Sequence, residues 1–329
     1  TGNGSTQHSI TGVGFQPDWV WIKGRGSTYN HFVFDAVRGV GKQIYSNTTG
    51  AEATNLNNLY SFDSDGFSLA QSGNDDVTNQ NNINFASWNW KANGAGSSNT
   101  DGSITATVSA NTTSGFSIIK YTGTGSNGTI GHGLGVAPKV YIVKNLDSVG
   151  KWWFFPVFLN ATNKYFDGFT TNAGIQSDGN GLTNSTLPTN SVISLGTSST
   201  INTSGNDIIC YAFAEKNGFS KFGSYIGNAS LDGSFIYTGF APAFVMIKGT
   251  NTNDWIMFDN KRNGTHSLSG NPRARYIFAN LTNAEDGASN YNHVDFVSNG
   301  IKIREDNGTI NSSGQKYIYM SFAENPIVG

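Results

Sequence analysis

The chain has 329 residues, 13% aromatic and 13% charged, with a net charge of −2. This aromatic content excludes a disordered chain, and Lys and Arg scattered without a basic stripe argue against a nucleic-acid partner. No apolar run approaches the roughly 20 residues of a membrane helix, and Asn, Thr, Ser and Gly standing in for charges favour turns and short strands over helices.

The first residue is Thr, so the chain reads as a processed product or a piece of a longer one. It opens "TGNGS", matching "TGTGS" at 122–126. The stretch "GVGFQPDWVWIKG" at 12–24 returns as "HGLGVAPKVYIVKN" at 132–145 and "TGFAPAFVMIKG" at 238–249. Taking Pro17, Pro138 and Pro242 as anchors, a lysine follows six residues later each time, as Lys23, Lys144 and Lys248. The segments between read as central strands, apolar on both faces. The lysines read as strand-end residues whose stems cover apolar surface.

Aromatic runs follow at 31–35, 152–156 and 255–259, with His31, Trp152 and Trp255 at one matched position. "TGAE" at 49–52 and "TNAE" at 282–285 have the capping-box form and predict single helical turns; "TNAG" at 171–174 lacks the Glu. "FDSDGF" at 62–67 and "GNDDV" at 73–77 hold clustered acids, which turn chemistry explains without calcium. Each copy closes on "FASWNWK", "CYAFAEK" or "YMSFAEN", with Trp88, Phe213 and Phe322 aligned. Cys210, the single cysteine, reads as a buried apolar residue.

Residues 93–115 are rich in Gly, Ser and Thr and read as a spacer with one weak strand. A further strand, "GFSIIKYTG" at 115–123, matches "GFSKFGSYIG" at 218–227. Tyr121 lies 17 residues before Pro138, as Tyr225 does before Pro242, which puts Thr1 one residue after the place of a third tyrosine. The expected fold is all-β: three tandem β-sandwich-like repeat units with short helical turns, over 1–92, 116–217 and 218–329, with the spacer at 93–115. One unit lacks the copy of that strand. Its sheet edge is therefore expected to be covered by an upstream segment or a neighbouring subunit.

Asp35, Arg38 and Glu52 match Asp259, Arg262 and Glu285, while the middle copy has Pro156, Leu159 and Gly174. Three charges vanishing together read as a structural ion cluster, one Arg fork between two carboxylates. No metal-ligand histidine spacing, no nucleophile elbow and no marked carboxylate pair is present. The reading is therefore non-enzymatic, with no catalytic residue, metal or cofactor. The flat faces of Trp152, Trp153, Trp255 and His31 are the candidate ligand platforms, weighed against plain core packing.

The motifs "YTGTGS…GHGLGVAPKVYIVKN", "FDxxRG", "SNTTxAE", "FDSDGF" and "FAENP" resemble those of uncharacterised repeat domains in structural proteins of marine bacteriophages, many labelled tail fibre or receptor-binding proteins. The resemblance implies a component of the virion surface, outside the cell. It implies a homo-oligomer, with a trimer favoured. Partners would be other virion proteins and a glycan or protein receptor of the host surface, without membrane insertion. A bacterial extracellular adhesin or lectin-like carbohydrate-binding module is the alternative, and a glycan depolymerase the enzymatic one.

Overall fold

The computed structural model describes residues 1–26, 28–70, 78–179, 181–262, 272–273, 275–286, 293–306 and 308–325. The fold is all-β, built from antiparallel strand pairs. Three large sheets carry it. The first orders Ala53–Thr54, Lys42–Tyr45, His31–Asp35, Trp19–Gly24 and Phe85–Trp90. The second orders Trp153–Phe155, Val140–Asn145, Asp207–Phe213, Phe116–Thr122, Ala106–Asn111 and Ser97–Asn99. The third orders Ser220–Ile226, Lys316–Phe322, Phe244–Gly249, Ile256–Asp259 and Ile277–Phe278. A smaller sheet pairs with each: His8–Thr11 with Gly66–Leu69 and Leu59–Asp63; Gly128–Gly131 with Val192–Leu195; and Phe235–Tyr237 with Gly300–Ile303, Val294–Val297 and Pro272–Arg273.

The doubly apolar strands explain how these pieces pack. Side chains alternate across a strand. On Trp19–Gly24, Val20 and Ile22 point into a core with Phe67 and Leu69 of the first small sheet. Trp19 and Trp21 point the opposite way. The second and third sheets repeat this, with Tyr141 and Val143, and Val245 and Ile247, in their own sandwich cores. Val140, Ile142, Phe244 and Met246 join Trp19 and Trp21 in a fourth core. That shared core draws on all three large sheets and holds six of the seven tryptophans. The three units thus have private centres and are also fused around a common one. Its rings meet across units: Trp19 lies 4.9 Å from Tyr211, Phe154 4.9 Å from Trp255, and Trp90 5.6 Å from Phe322.

Several expectations are corrected. Residues 93–115 are not a spacer; Ser97–Asn99 and Ala106–Asn111 extend the second large sheet, because Ala106 and Val108 alternate inward and pair with Tyr121 and Ile119. The capping boxes at 49–52 and 282–285 form no helix. Their backbones adopt no regular secondary structure and bond to the neighbouring unit, a tertiary pull stronger than a local cap. Helical turns occur elsewhere, as short 3-10 segments at Val157–Leu159 and Gly168–Thr170. The closing strands are also shifted by two. Trp19, Val140 and Phe244, each two residues past its proline, pair with Trp90, Phe213 and Phe322. Trp88 therefore corresponds to Tyr211 and Met320.

Candidate functional site

The junctions between units decide which residues remain for function. Glu52 donates its N–H to the Leu146 carbonyl, Ile175 to that of Thr250, and Glu285 to that of Arg25. The first unit thereby grips the second, the second the third, and the third returns to the first, closing a ring. The repeated lysines follow the same circuit. Lys144 Nζ donates to the carbonyls of Thr49 at 3.1 Å and Gly150 at 2.8 Å. Lys248 reaches Asn172 and Asn251, and Lys23 reaches Thr282. All three lysines are buried, and burial lowers Lys144 to about 8 and Lys248 to about 7. Their role is to tie one unit's strand end to the preceding unit's loop.

The ion clusters sit at two of the three junctions. Arg38 bonds Asp35 and lies 3.2 Å from Glu52, and its second nitrogen donates to the Val33 carbonyl. Arg262 repeats this with Asp259, Glu285 and Met257. Each Asp also accepts a hydrogen bond from the neighbouring unit: Tyr211 Oη to Asp35 at 2.6 Å, and Trp88 Nε1 to Asp259 at 3.0 Å. Burial alone would raise the Asp259 carboxyl, yet Arg262 and the Trp88 donor hold it below the usual range. Tyr211 and Trp88 are matched residues, and the third of the set is Met320. At the third junction, then, Asp, Arg, Glu and the facing donor are replaced together by Pro156, Leu159, Gly174 and Met320, and Leu159 packs on the shared core. The concerted loss read from the sequence has a fourth member.

The predicted platforms divide. Trp152, Trp255 and His31 lie inside the shared core at 0%, 1% and 0% exposure and have no face for a ligand. Trp152 Nε1 crosses to the Tyr45 carbonyl. His31 Nδ1 accepts from Trp21 Nε1 at 2.9 Å, which leaves the ring proton on Nε2, facing the Phe278 and Leu281 backbone. Burial, and next the Lys23 charge, hold the His31 ring neutral. These three positions bind the units together. Trp153 alternates to the opposite face, half-buried against Tyr165 at 4.9 Å.

The exposed aromatic surface lies elsewhere. On Phe235–Tyr237, Ile236 faces its sandwich core while Phe235 and Tyr237, two residues apart on one outer face, are 49% and 63% exposed. The matched strands have Ser9 and Thr11, and Thr129 and Gly131. The aromatic pair belongs to the third unit alone, a signal that comparing the copies holds. Phe235 is opposite Lys302 and Tyr237 opposite Gly300, where a Cβ would stand 2.8 Å from the Phe235 ring. Beside the pair, Lys302 bridges Asp232 at 2.7 Å and Arg304 bridges Asp295 at 2.6 Å. Exposed Leu231 and Ile226 belong to the same unit. The outer face of this strand is therefore apolar, with charged pairs beside it.

For chemistry other than binding, the described residues offer little. Asp65 accepts from the Gly12 and Gly14 N–H groups, and Asp63 from Ser61 and Ser68, so these acids do turn work. The cluster at 73–77 lies outside the described residues. Among the described residues no three of His, Cys, Asp and Glu are grouped as metal ligands would be. Cys210 is buried, which pushes its thiol up and away from reactivity. A buried His293–Glu305 pair at 2.7 Å stands beneath Tyr276, and has no counterpart in the other two units.

Neither the curated proteins nor the solved structures contain a significant match to this chain. One family does match, over residues 1–326, and the chain belongs to it: the Domain of unknown function family DUF7483.

Proposed function

We propose that the chain is a non-enzymatic attachment protein of a virion appendage, of the phage tail-fibre or receptor-binding kind, and that it contacts host-surface glycan through Phe235 and Tyr237. The observation that carries the binding role is that aromatic pair, held on an outer sheet face in the one unit that has it. Isolated exposed apolar residues need no explanation, but paired aromatics beside charged groups form a patch of the binding kind. Ring faces suit the C–H faces of sugars, while Lys302, Asp232, Arg304 and Asp295 suit hydroxyls. The fused core supports the reading as well, since a rigid scaffold lowers the cost of ordering a site. The resemblance to phage structural repeats supplies the virion setting, with the outside of the particle as the location and other virion proteins and further copies as partners.

The test measures binding of the protein to a panel of bacterial surface polysaccharides and to intact cells. Phe235→Ala and Tyr237→Ala are expected to abolish binding with the melting temperature unchanged. Binding untouched by both variants would remove the site, and shortening of the polysaccharide would overturn the non-enzymatic reading.

A further inference from the structure

In the second and third large sheets, the strand that ends each copy is paired on both sides. Asp207–Phe213 lies between Val140–Asn145 and Phe116–Thr122, and Lys316–Phe322 between Phe244–Gly249 and Ser220–Ile226. In the first sheet, Phe85–Trp90 pairs with Trp19–Gly24 and ends the sheet; among the described residues no strand lies along its other side. Such an edge presents backbone donors and acceptors to any extended chain.

A cavity of about 160 Å³ opens beside this edge, walled by Ile22, Phe67 and Leu69, by Phe85 and Ser87 of the edge strand, and by Thr78. Internal equivalence identifies what fits it. Gly2, Gly123 and Gly227 hold one place, donating to the carbonyls of Ile83, Asn206 and Gln315. Gly4, Gly125 and Ala229 hold another, donating to Asn79, Asn202 and Asn311. Thr78 thus matches Ile201 and Ile310. The Ile201 carbonyl accepts from Tyr121 Oη at 2.6 Å and the Ile310 carbonyl from Tyr225 Oη at 2.7 Å, both tyrosines being buried in their sandwich cores. The cavity therefore occupies the place that Tyr121 and Tyr225 fill in the other two units. Register agrees: Tyr121 pairs with Ile208 and Tyr225 with Tyr317, whose match is Phe85. Thr1, bonded through its hydroxyl to Asn84, already stands where Thr122 and Ile226 stand.

We propose that the open edge of Phe85–Trp90 is a docking site for one added antiparallel strand, a polypeptide carrying an apolar residue three places before a tyrosine. Its tyrosine ring fills the cavity and donates to the Thr78 carbonyl. Its apolar residue packs on the shared core, as Ile118 and Phe222 do. The chain writes this pattern twice itself, as "IIKY" at 118–121 and "FGSY" at 222–225. Strand addition of this kind takes affinity from main-chain hydrogen bonds and specificity from the side-chain pocket.

The test adds a synthetic peptide with the sequence of residues 115–121 to the protein, and separately fuses the same residues directly before Thr1. The free peptide is expected to bind one to one and to slow amide exchange across 85–90, and the fusion is expected to raise the melting temperature. Replacing the peptide's tyrosine by alanine is expected to weaken binding by about tenfold or more. Leu69→Trp, which fills the cavity, should abolish binding while the variant still melts cooperatively. The proposal is overturned if neither the free nor the fused segment protects 85–90. It is also overturned if the tyrosine is dispensable, or if the protein alone pairs this edge with a second copy.

Discussion

Arg38 sits between Asp35 and Glu52 at a junction where Tyr211 of the next unit also bonds Asp35. Asp35 and Arg38 have side-chain exposures of 0% and 1%, so removing either strands a charge away from water. Breaking one partner of such a pair costs about 3–5 kcal/mol, whereas replacing all its members by apolar groups is close to neutral. For a chain of 329 residues unfolding as one unit, the entropy of melting is about 0.7 kcal/mol/K, so the single loss lowers the melting temperature by about 4–7 °C. Arg38→Leu and Asp35→Ala should each show this loss. The combined variant Asp35→Ala, Arg38→Leu, Glu52→Gly, Tyr211→Phe should lose far less than the singles sum to, because no member of the charged cluster is left behind. Calorimetry and urea melts followed by tryptophan fluorescence supply the numbers. Additivity within about 0.5 kcal/mol would refute the argument, since that is the behaviour of uncoupled sites. The third junction, with Pro156, Leu159 and Met320, shows the chain already tolerating the wholly replaced state.

Other outcomes follow from single contacts. Trp255→Ala, emptying the shared core, should cost about 3–5 kcal/mol, and Trp153→Ala, at the half-buried position, clearly less; equal losses in urea melts would contradict the placement of Trp255 between units. Gly123 lies against the loop that carries Asn202, and a Cβ there would stand 2.2 Å from the Thr203 carbonyl. Gly123→Ala should therefore cost at least about 2 kcal/mol, and a neutral result in the same assay would show that the turn can shift. His31 is held well below its ordinary range, so in mild acid the unfolded chain takes up a proton that the folded chain refuses. Its contribution is complete above about pH 6.5 and is lost as pH falls below it, by up to about 1.4 kcal/mol per pH unit. His31→Phe should make the acid limb of a stability–pH curve shallower, and an unchanged slope would mean that another group drives it.

How much of this could be read from residues alone depended on how far each signal reached. The threefold duplication was legible because proline, apolar strand and lysine recur at fixed spacing, and the strands "WVWI", "VYIV" and "FVMI" showed apolar character on both faces. That double character already implied two covers per sheet. Which unit supplied the second cover was not legible, because nothing local marks a partner more than a hundred residues away. The capping boxes misled for the same reason: Thr49 and Glu52 satisfy a local rule, and a bond from Glu52 to Leu146 outweighs it. The sequence leaves the alignment of the closing strands ambiguous by two, because the aromatic residues at 88 and 90 share a face and either alignment keeps the pattern. Phe235 and Tyr237 carry no mark in the sequence beyond their absence from the other two copies, whereas the tryptophans, stronger stacking candidates by residue type, fill the shared core. The buried Asn79, Asn202 and Asn311, each accepting the N–H of a turn residue, were written in "TNQ", "INTS" and "INSS" as a repeat too short to stand out.

The central claim is that three sandwiches with private cores are welded by a fourth into one body. Differential scanning calorimetry of the intact chain tests it most directly. One transition, with the calorimetric enthalpy equal to the van't Hoff enthalpy, is the predicted result. Separate transitions, or a calorimetric enthalpy about three times the van't Hoff value, would show units melting on their own and would contradict it.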